Sequence, residues 1–461
     1  MLSKSTAEAV LAEALSTGGD FAEIFMEDTL RGTMSMIDGN LESALNERDH
    51  GAGIRIYQGL NAVYVHTNDT TLEGLMACAR KAAAAVGEER LSRQVQLTRS
   101  LPRNAHAIAQ LPGDVSGQRK VRKLMDAYRT AKAYDPAVSQ VITSMREIDQ
   151  SVVIANSDGL FTGDRRVYTR IGVQAVASGG GENQTGFIGP GAMMGFELFD
   201  TRVDPAALGT AAAETAVKML RAPVCPAGIM PVAIDSGFGG VIFHEACGHS
   251  LEATSVARGN SEFAGKLGQK IAADCVTAVD DGTLPNEWGS TNIDDEGTPT
   301  NRLLLIENGV LKNYMIDRLN GRRMNMPVTG SARRQSYAYA PTSRMRNTFI
   351  APGSDDPEEI IASMGEGLYA AKMGGGSVNP ATGEFNFAVM EGYLVKDGRI
   401  TTPVRGATLV GKGSEIIMKI DRVSRDMKMS QGICGSASGS VPVNVGQPMI
   451  RVSSMTVGGR Q

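Results

Sequence analysis

The stretch FHEACGH, Phe243 to His249, decides how the second half of this chain is read. It is one residue longer than His-Glu-x-x-His, in which two histidines four apart share a helix face and grip one metal ion. Here His244 and His249 are five apart. At about 100° per residue an ordinary helix would set them roughly 140° apart. Either the match is accidental or the helix is deformed at this point. On a regular helix Cys247 would lie about 60° and Gly248 about 40° from His244, so the nearest face holds the thiol and not His249. Gly248 offers a way out. Glycine tolerates backbone angles that other residues avoid, and a wide turn of the π type brings residues five apart onto one side.

A metal site needs further ligands, and histidine is scarce. The chain has five: His50, His66, His106, His244 and His249. Three of them fall early in the chain, so a third imidazole would come from another domain. Otherwise the third ligand is Cys, Asp or Glu, all of which zinc accepts. Glu245 is the carboxylate placed to take the proton of an attacking water. Cys247 competes as a ligand, although a lone helical cysteine is usually a small buried hydrophobe. Cys78, Cys225 and Cys275 take that same structural reading.

Composition narrows the classes. A chain of 461 residues suggests two or three domains. Its 46 basic and 50 acidic residues leave a net charge of -4, which gives no reason to expect a nucleic-acid or acidic-membrane partner. No run approaches the roughly 18 apolar residues of a membrane helix. The N-terminal stretch carries Glu8 and Glu13 inside its apolar pattern, unlike a signal-peptide core. Five cysteines without framework spacing fit a reducing compartment. The expected location is cytoplasmic.

The expected fold class is α+β: N-terminal mixed α/β regions followed by a β-rich C-terminal domain carrying the special helix. Residues 1–95 read as an α+β domain. Ser5 and Glu8 form a capping box, Val10, Leu11, Ala14 and Leu15 make one stripe, and Gly18 stops the first helix. FAEIFME, GAGIRIYQG and NAVYVHT alternate as strands, and a second helix is capped near Thr70 and Glu73. A Pro-containing linker leads to a central α+β region, 112–221, with amphipathic helices at GQRKVRKLMDAYRTAKAY and PAALGTAAAETAVKMLRA around hairpin strands. Residues 222–461 form the β-rich domain, with ENG and KDG as hairpin turns. Asp356 and Pro357 start one ordinary helix there. The special helix is expected at Gly240 to Ala257.

The chain resembles the TldD/PmbA family, and within it the TldD branch, which carries a His-Glu-x-x-x-His motif. The resemblance covers nearly the whole chain and is strongest from about Pro226: PAGIMPV, HEACGHSLEA, VDDGTLP, IDDEGTP, LIENGVLKNYM, RRQSYAYAP, GGGSVNPATGEF, VRGATLVG and VPVNVGQP occur in order. It implies a zinc metalloprotease with one Zn2+ per chain. It also implies His244, His249 and Cys434, in GICGSASGSVPV, as metal ligands, and Glu245 as the base that activates the bound water. The implied substrate is a peptide or unfolded protein segment lying extended against an exposed strand. The implied assembly is a homodimer or a heterodimer with a related PmbA-type subunit. Two rival readings share these residues: a metal-dependent amidase acting on a small molecule, and a regulatory subunit with a structural metal.

Other stretches are weaker signals. IDDEGTP at Ile293 to Pro299 reads as a turn or a substrate-positioning loop. Arg333, Arg334, Tyr337 and Tyr339 are candidate oxyanion donors, or else a solvated basic strand. MGGGSVN lacks the Lys-Ser/Thr ending of a nucleotide loop and reads as a wall of the cleft.

Overall fold

The computed structural model describes residues 2–88, 91–379 and 382–459. Pro380 and Ala381, inside GGGSVNPATGEF, lie outside the described residues.

The N-terminal half is built on one sheet. Its strands are β1 (Phe21–Ile37), β2 (Asn40–Gln58), β3 (Asn61–Thr67), β4 (Thr98–Arg99), β5 (Val138–Asn156), β6 (Leu160–Gly179), β7 (Glu182–Ile188) and β8 (Gly191–Ala192). The order is β3-β2-β1-β5-β6-β4, with β7 and β8 on β6. Antiparallel pairing of β1 with β5, from Glu23↔Asn156 to Ile37↔Ile142, joins the first and central regions. Helices Lys4–Ala14 and Leu72–Ala84 bury Val10, Leu11, Ala79 and Ala82 against Ile24, Ile54 and Ile56. Helices Gly117–Ala133 and Pro205–Arg221 bury Leu124, Ala127, Ala212 and Ala216 against Ile171 and Val173.

One cap differs from expectation and the other falls one residue along. Ser3, not Ser5, caps the first helix by accepting from Thr6 N, and Thr71 caps the second by accepting from Gly74 N. In each case a hydroxyl-bearing neighbour in sequence makes the choice a matter of local geometry. Strands β1 and β2 also run far beyond the alternating cores read from sequence, meeting at a tight turn with Asp38 and Gly39 at positive φ.

The C-terminal half contains β9 (Gly228–Ile234), β10 (Ala278–Asp281), β11 (Arg302–Glu307), β12 (Val310–Leu311), β13 (Ala332–Arg333), β14 (Thr342–Ser343), β15 (Asn347–Ile350), β16 (Gly367–Val378), β17 (Glu384–Lys396), β18 (Arg399–Val404), β19 (Thr408–Lys412), β20 (Ile420–Ser436) and β21 (Gly439–Gly458). Strand β9 pairs with both β16 and β21, so β21, β19, β17, β16 and β9 close on themselves. Closure removes edges that would otherwise stand open. The ENG and KDG turns place Asn308, Gly309, Asp397 and Gly398 at positive φ, as such hairpins require. Asp356 accepts from Glu358 N and starts helix Pro357–Ala362 as read.

The two halves meet at a buried charged seam. Arg55 on β2 lies 2.8 Å from Glu23 and 2.7 Å from Glu296; Arg334 lies 2.7 Å from Glu23, and Arg166 lies 2.6 Å from Asp295. IDDEGTP is therefore a turn, closed by the Ile293↔Pro299 bridge, whose acids join the halves. Arg333 and Arg334 are likewise buried here, so they are not a solvated basic strand.

Candidate metal centre

The segment around FHEACGH changes pitch three times. A 3-10 turn, Phe238–Gly240, leads into an α-helical turn, Val241–Phe243, then a π-helical turn, His244–Gly248, then a second 3-10 turn, His249–Leu251. The His249 N–H donates to His244 O, the i to i+5 bond that defines a π turn. The helix is thus widened where the spacing demanded it, and the two rings face each other with centroids 5.0 Å apart. Gly248 does not act through unusual angles, however: its φ of -56° and ψ of -51° are ordinary helical values. A Cβ there would sit 2.3 Å from Met345 Sδ, so glycine serves close packing. The expected single helix to Ala257 also breaks at Glu252, which is extended, before a short turn Ala253–Val256.

Cys434 arrives from the far end of the chain. It lies near the tip of the β20–β21 hairpin, opposite Val441. Its Sγ is 3.3 Å from His249 Nε2, and the ligand atoms of His244, His249 and Cys434 lie within 4.8 Å of one another. Tetrahedral zinc with Zn–S of about 2.3 Å and Zn–N of about 2.05 Å separates sulfur from nitrogen by about 3.5 Å. His244 is buried, and its Nδ1 has no partner. Burial first, then His249 and Arg344, hold its pKa well below the ordinary histidine value. Two imidazoles and a thiol at this spacing fit zinc. Cys247 does not join them: it is buried in the apolar core, and burial raises its thiol pKa.

Glu245 projects beside the cluster, with Oε2 3.7 Å from His249 Nε2. Burial raises its carboxyl pKa, partly opposed by His249. With His244 it lines a cavity of about 700 Å³, whose walls include Phe238, Phe187 and Gly374 to Gly376. The glycine stretch within MGGGSVN is thus a wall of the cavity. A larger cleft of about 850 Å³ lies over the N-terminal sheet and contains none of the cluster residues.

Two residues at the centre were missed in the sequence. Glu252 Oε2 is 3.1 Å from His249 Nδ1, the carboxylate contact that orients a ligating imidazole. Its position three residues after His249 was a usable signal on a helix. Against the downward effect of burial, Glu252 and Cys434 hold His249 well above its ordinary pKa. The second is Arg344, fully buried, which donates to Cys434 O at 2.6 Å, to Ser438 Oγ at 3.0 Å and to Gly439 O at 2.9 Å, while its Nε lies 3.9 Å from Glu252. It ties the hairpin tip to the acid behind His249. Nothing in its spacing marked it. Of the residues weighed as oxyanion donors, Arg334 pairs with Glu23, Tyr337 N donates to Glu27 Oε1, and Arg333 donates to Met345 O.

Two imidazoles and a thiol beside a carboxylate and an open cavity are the equipment of the metal-dependent hydrolase class. The sequence matches PmbA/TldA metallopeptidase domain 1 over residues 22–86, the central domain over 110–220 and the C-terminal domain over 227–459. The chain belongs to the TldD/PmbA family. It is 34% identical over 448 residues to a Haemophilus influenzae protein named Metalloprotease TldD homolog, covering 95% of this chain and 93% of that one. A Saccharolobus solfataricus relative named Zinc metalloprotease TldD homolog is 34% identical over 245 residues, covering 53% of this chain and 54% of that one. The fold is shared with TldE from Thermococcus kodakarensis, at a TM-score of 0.74 and 18% identity over 96% of this chain and 97% of that one. It is also shared with a Thermotoga maritima protein described as a candidate modulator of DNA gyrase, at 0.79 and 21% over 95% and 96%.

Proposed function

We propose that this chain is a zinc-dependent metallopeptidase that hydrolyses peptides or unfolded segments, with Glu245 as its base. The observation that carries the reading is the convergence of His244, His249 and Cys434 beside the Glu245 carboxylate at the cavity. When bound, zinc supplies a Lewis acid that polarises a carbonyl and acidifies water. His244, His249 and Cys434 would hold it. Glu252, accepting from Nδ1, would fix the tautomer of His249 that presents the Nε2 lone pair toward the cluster. Glu245 takes a proton from the attacking water and passes it to the leaving amine, and its raised carboxyl pKa strengthens it as a base. Strand β20 pairs with β21 on one side, and its residues Met429 to Ile433 line the cavity. That edge supports an extended peptide held largely by main-chain bonds. Family likeness extends the proposal to a dimer, of this chain with itself or with a related PmbA-type subunit.

The test is metal analysis and peptide hydrolysis on the protein, Cys434→Ser and Glu245→Gln. The expected result is about one zinc per chain, greatly weakened in Cys434→Ser. Glu245→Gln should keep zinc while hydrolysis falls by about 10²- to 10⁴-fold. Full activity in Glu245→Gln would sink the mechanism, and metal binding indifferent to Cys434 would reopen the third ligand.

A further inference from the structure

The cavity beside Glu245 has a cation in its wall with no acid to answer it. Arg170 lies on β6 and lines the cavity; the residue directly opposite on β5 is Arg146. Like charges facing each other across antiparallel strands are unfavourable. Among the described residues, no carboxylate pairs with either arginine. The Arg170 guanidinium is held only by neutral groups: Nε donates to Gly189 O at 2.9 Å and Nη2 to Gln431 O at 3.1 Å. Its carbon lies 5.5 Å from the Trp288 ring centre, and Trp288 is itself buried and donates to Gly432 O at 2.8 Å. These contacts fix the guanidinium in place without cancelling its charge. The other cation of the wall, Lys372, is already paired with Glu391 at 2.8 Å.

A rigid guanidinium with spare donors, in a water-restricted wall, matches a carboxylate by shape and charge. Phe187, half exposed, stands in the same wall and offers an apolar surface next to it. We propose that Arg170 is the anion anchor of this cavity and takes a carboxylate of the peptide substrate. That carboxylate is either the free C-terminus or an Asp or Glu side chain. This rests on the peptidase reading and narrows its substrates to carboxylate-bearing peptides.

The experiment uses two pairs of fluorescent peptides of one core sequence. In the first pair the C-terminus is free or amidated; in the second both are amidated and one position holds Glu or Gln. KM and kcat are measured on the zinc-loaded protein, and Kd by anisotropy on zinc-loaded Glu245→Gln, where binding is read without turnover. The expected result is a preference for the carboxylate member of one pair, about ten- to hundredfold in KM and Kd, the size of a charge-assisted bond. The responding pair identifies the source of the carboxylate. The preference should fall to near one in Arg170→Gln and survive in part in Arg170→Lys, which keeps the charge but not the fork. Cleavage with ratios near one in both pairs would overturn the anchor and leave the peptidase standing. So would a preference that persists in Arg170→Gln. Wild-type ratios near one overturn the anchor even if a variant fails to fold, and if Arg170→Gln does not fold, an undiminished preference in Arg170→Lys overturns it as well. If no peptide is bound or cleaved, the peptidase reading falls and takes the anchor with it.

Discussion

Two buried polar regions of this molecule differ in what they lack. At the seam between the halves, every carboxylate oxygen of Glu23, Asp294, Asp295 and Glu296 accepts a hydrogen bond from an arginine side chain or a backbone N–H. At the metal centre, His244 Nδ1 has no partner and the polar tips of His249 and Cys434 meet each other. Both regions have been taken out of water at a cost. The seam recovers it from within the chain, as a structural network does. The centre leaves donor atoms converging on one point, as a ligand site does.

Breaking the seam should have the largest effect on stability. Arg55→Ala strands Glu23 and Glu296 without their shared cation, and removing one partner of a buried pair costs about 3–5 kcal/mol. Chemical denaturation of the variant checks this, and a loss below about 1 kcal/mol would mean that water reaches the seam. Zinc content should remain near that of the parent protein, because the seam and the centre share no side chain.

The comparison sharpens at Glu252, which touches the centre through His249 and Arg344. Glu252→Gln should weaken zinc affinity about 10- to 100-fold while Cys434 and both histidines remain. Competition with a chelator of known affinity measures it. Unchanged affinity would make Glu252 a packing residue and not an orienting one.

The seam should also make stability depend on pH. Burial raises the Glu296 pKa from the ordinary 4.5 to about 8, with Arg55 opposing, and burial likewise raises the Asp294 pKa to about 6. A group whose folded pKa is raised stabilises fully below its unfolded pKa, and that contribution is lost as pH rises through the folded value. Stability should therefore decline from about pH 5 to above pH 8, by at most about 1.4 kcal/mol per pH unit per group. Denaturation midpoints across this range test it, and Glu296→Gln should flatten the upper part of the slope. A flat profile over that window would show the seam carboxylates charged throughout.

Much of the local structure was legible. The stripe Val10, Leu11, Ala14 and the cap at Asp356 follow from neighbours in sequence. The hairpin that doubles β1 and β2 in length carried its own Asp38-Gly39 signal, but its strands lose clean alternation because much of β2 is solvent-exposed. The first cap falls at Ser3 and not at Ser5 because hydroxyls two residues apart compete for the same orphan N–H groups.

By itself the sequence determined which short segments would turn, cap or bury a face, and it required that a helix holding His244 and His249 on one side be widened. These are matters of nearest neighbours and helical period. Only the tertiary structure decided that β1 pairs with β5, that IDDEGTP meets Arg55, Arg166 and Arg334, and that Arg344 links Glu252 to the Cys434 hairpin. Each depends on residues far apart in the chain, whose pairing is chosen by the packing of whole sheets and by the need of every buried charge for a partner.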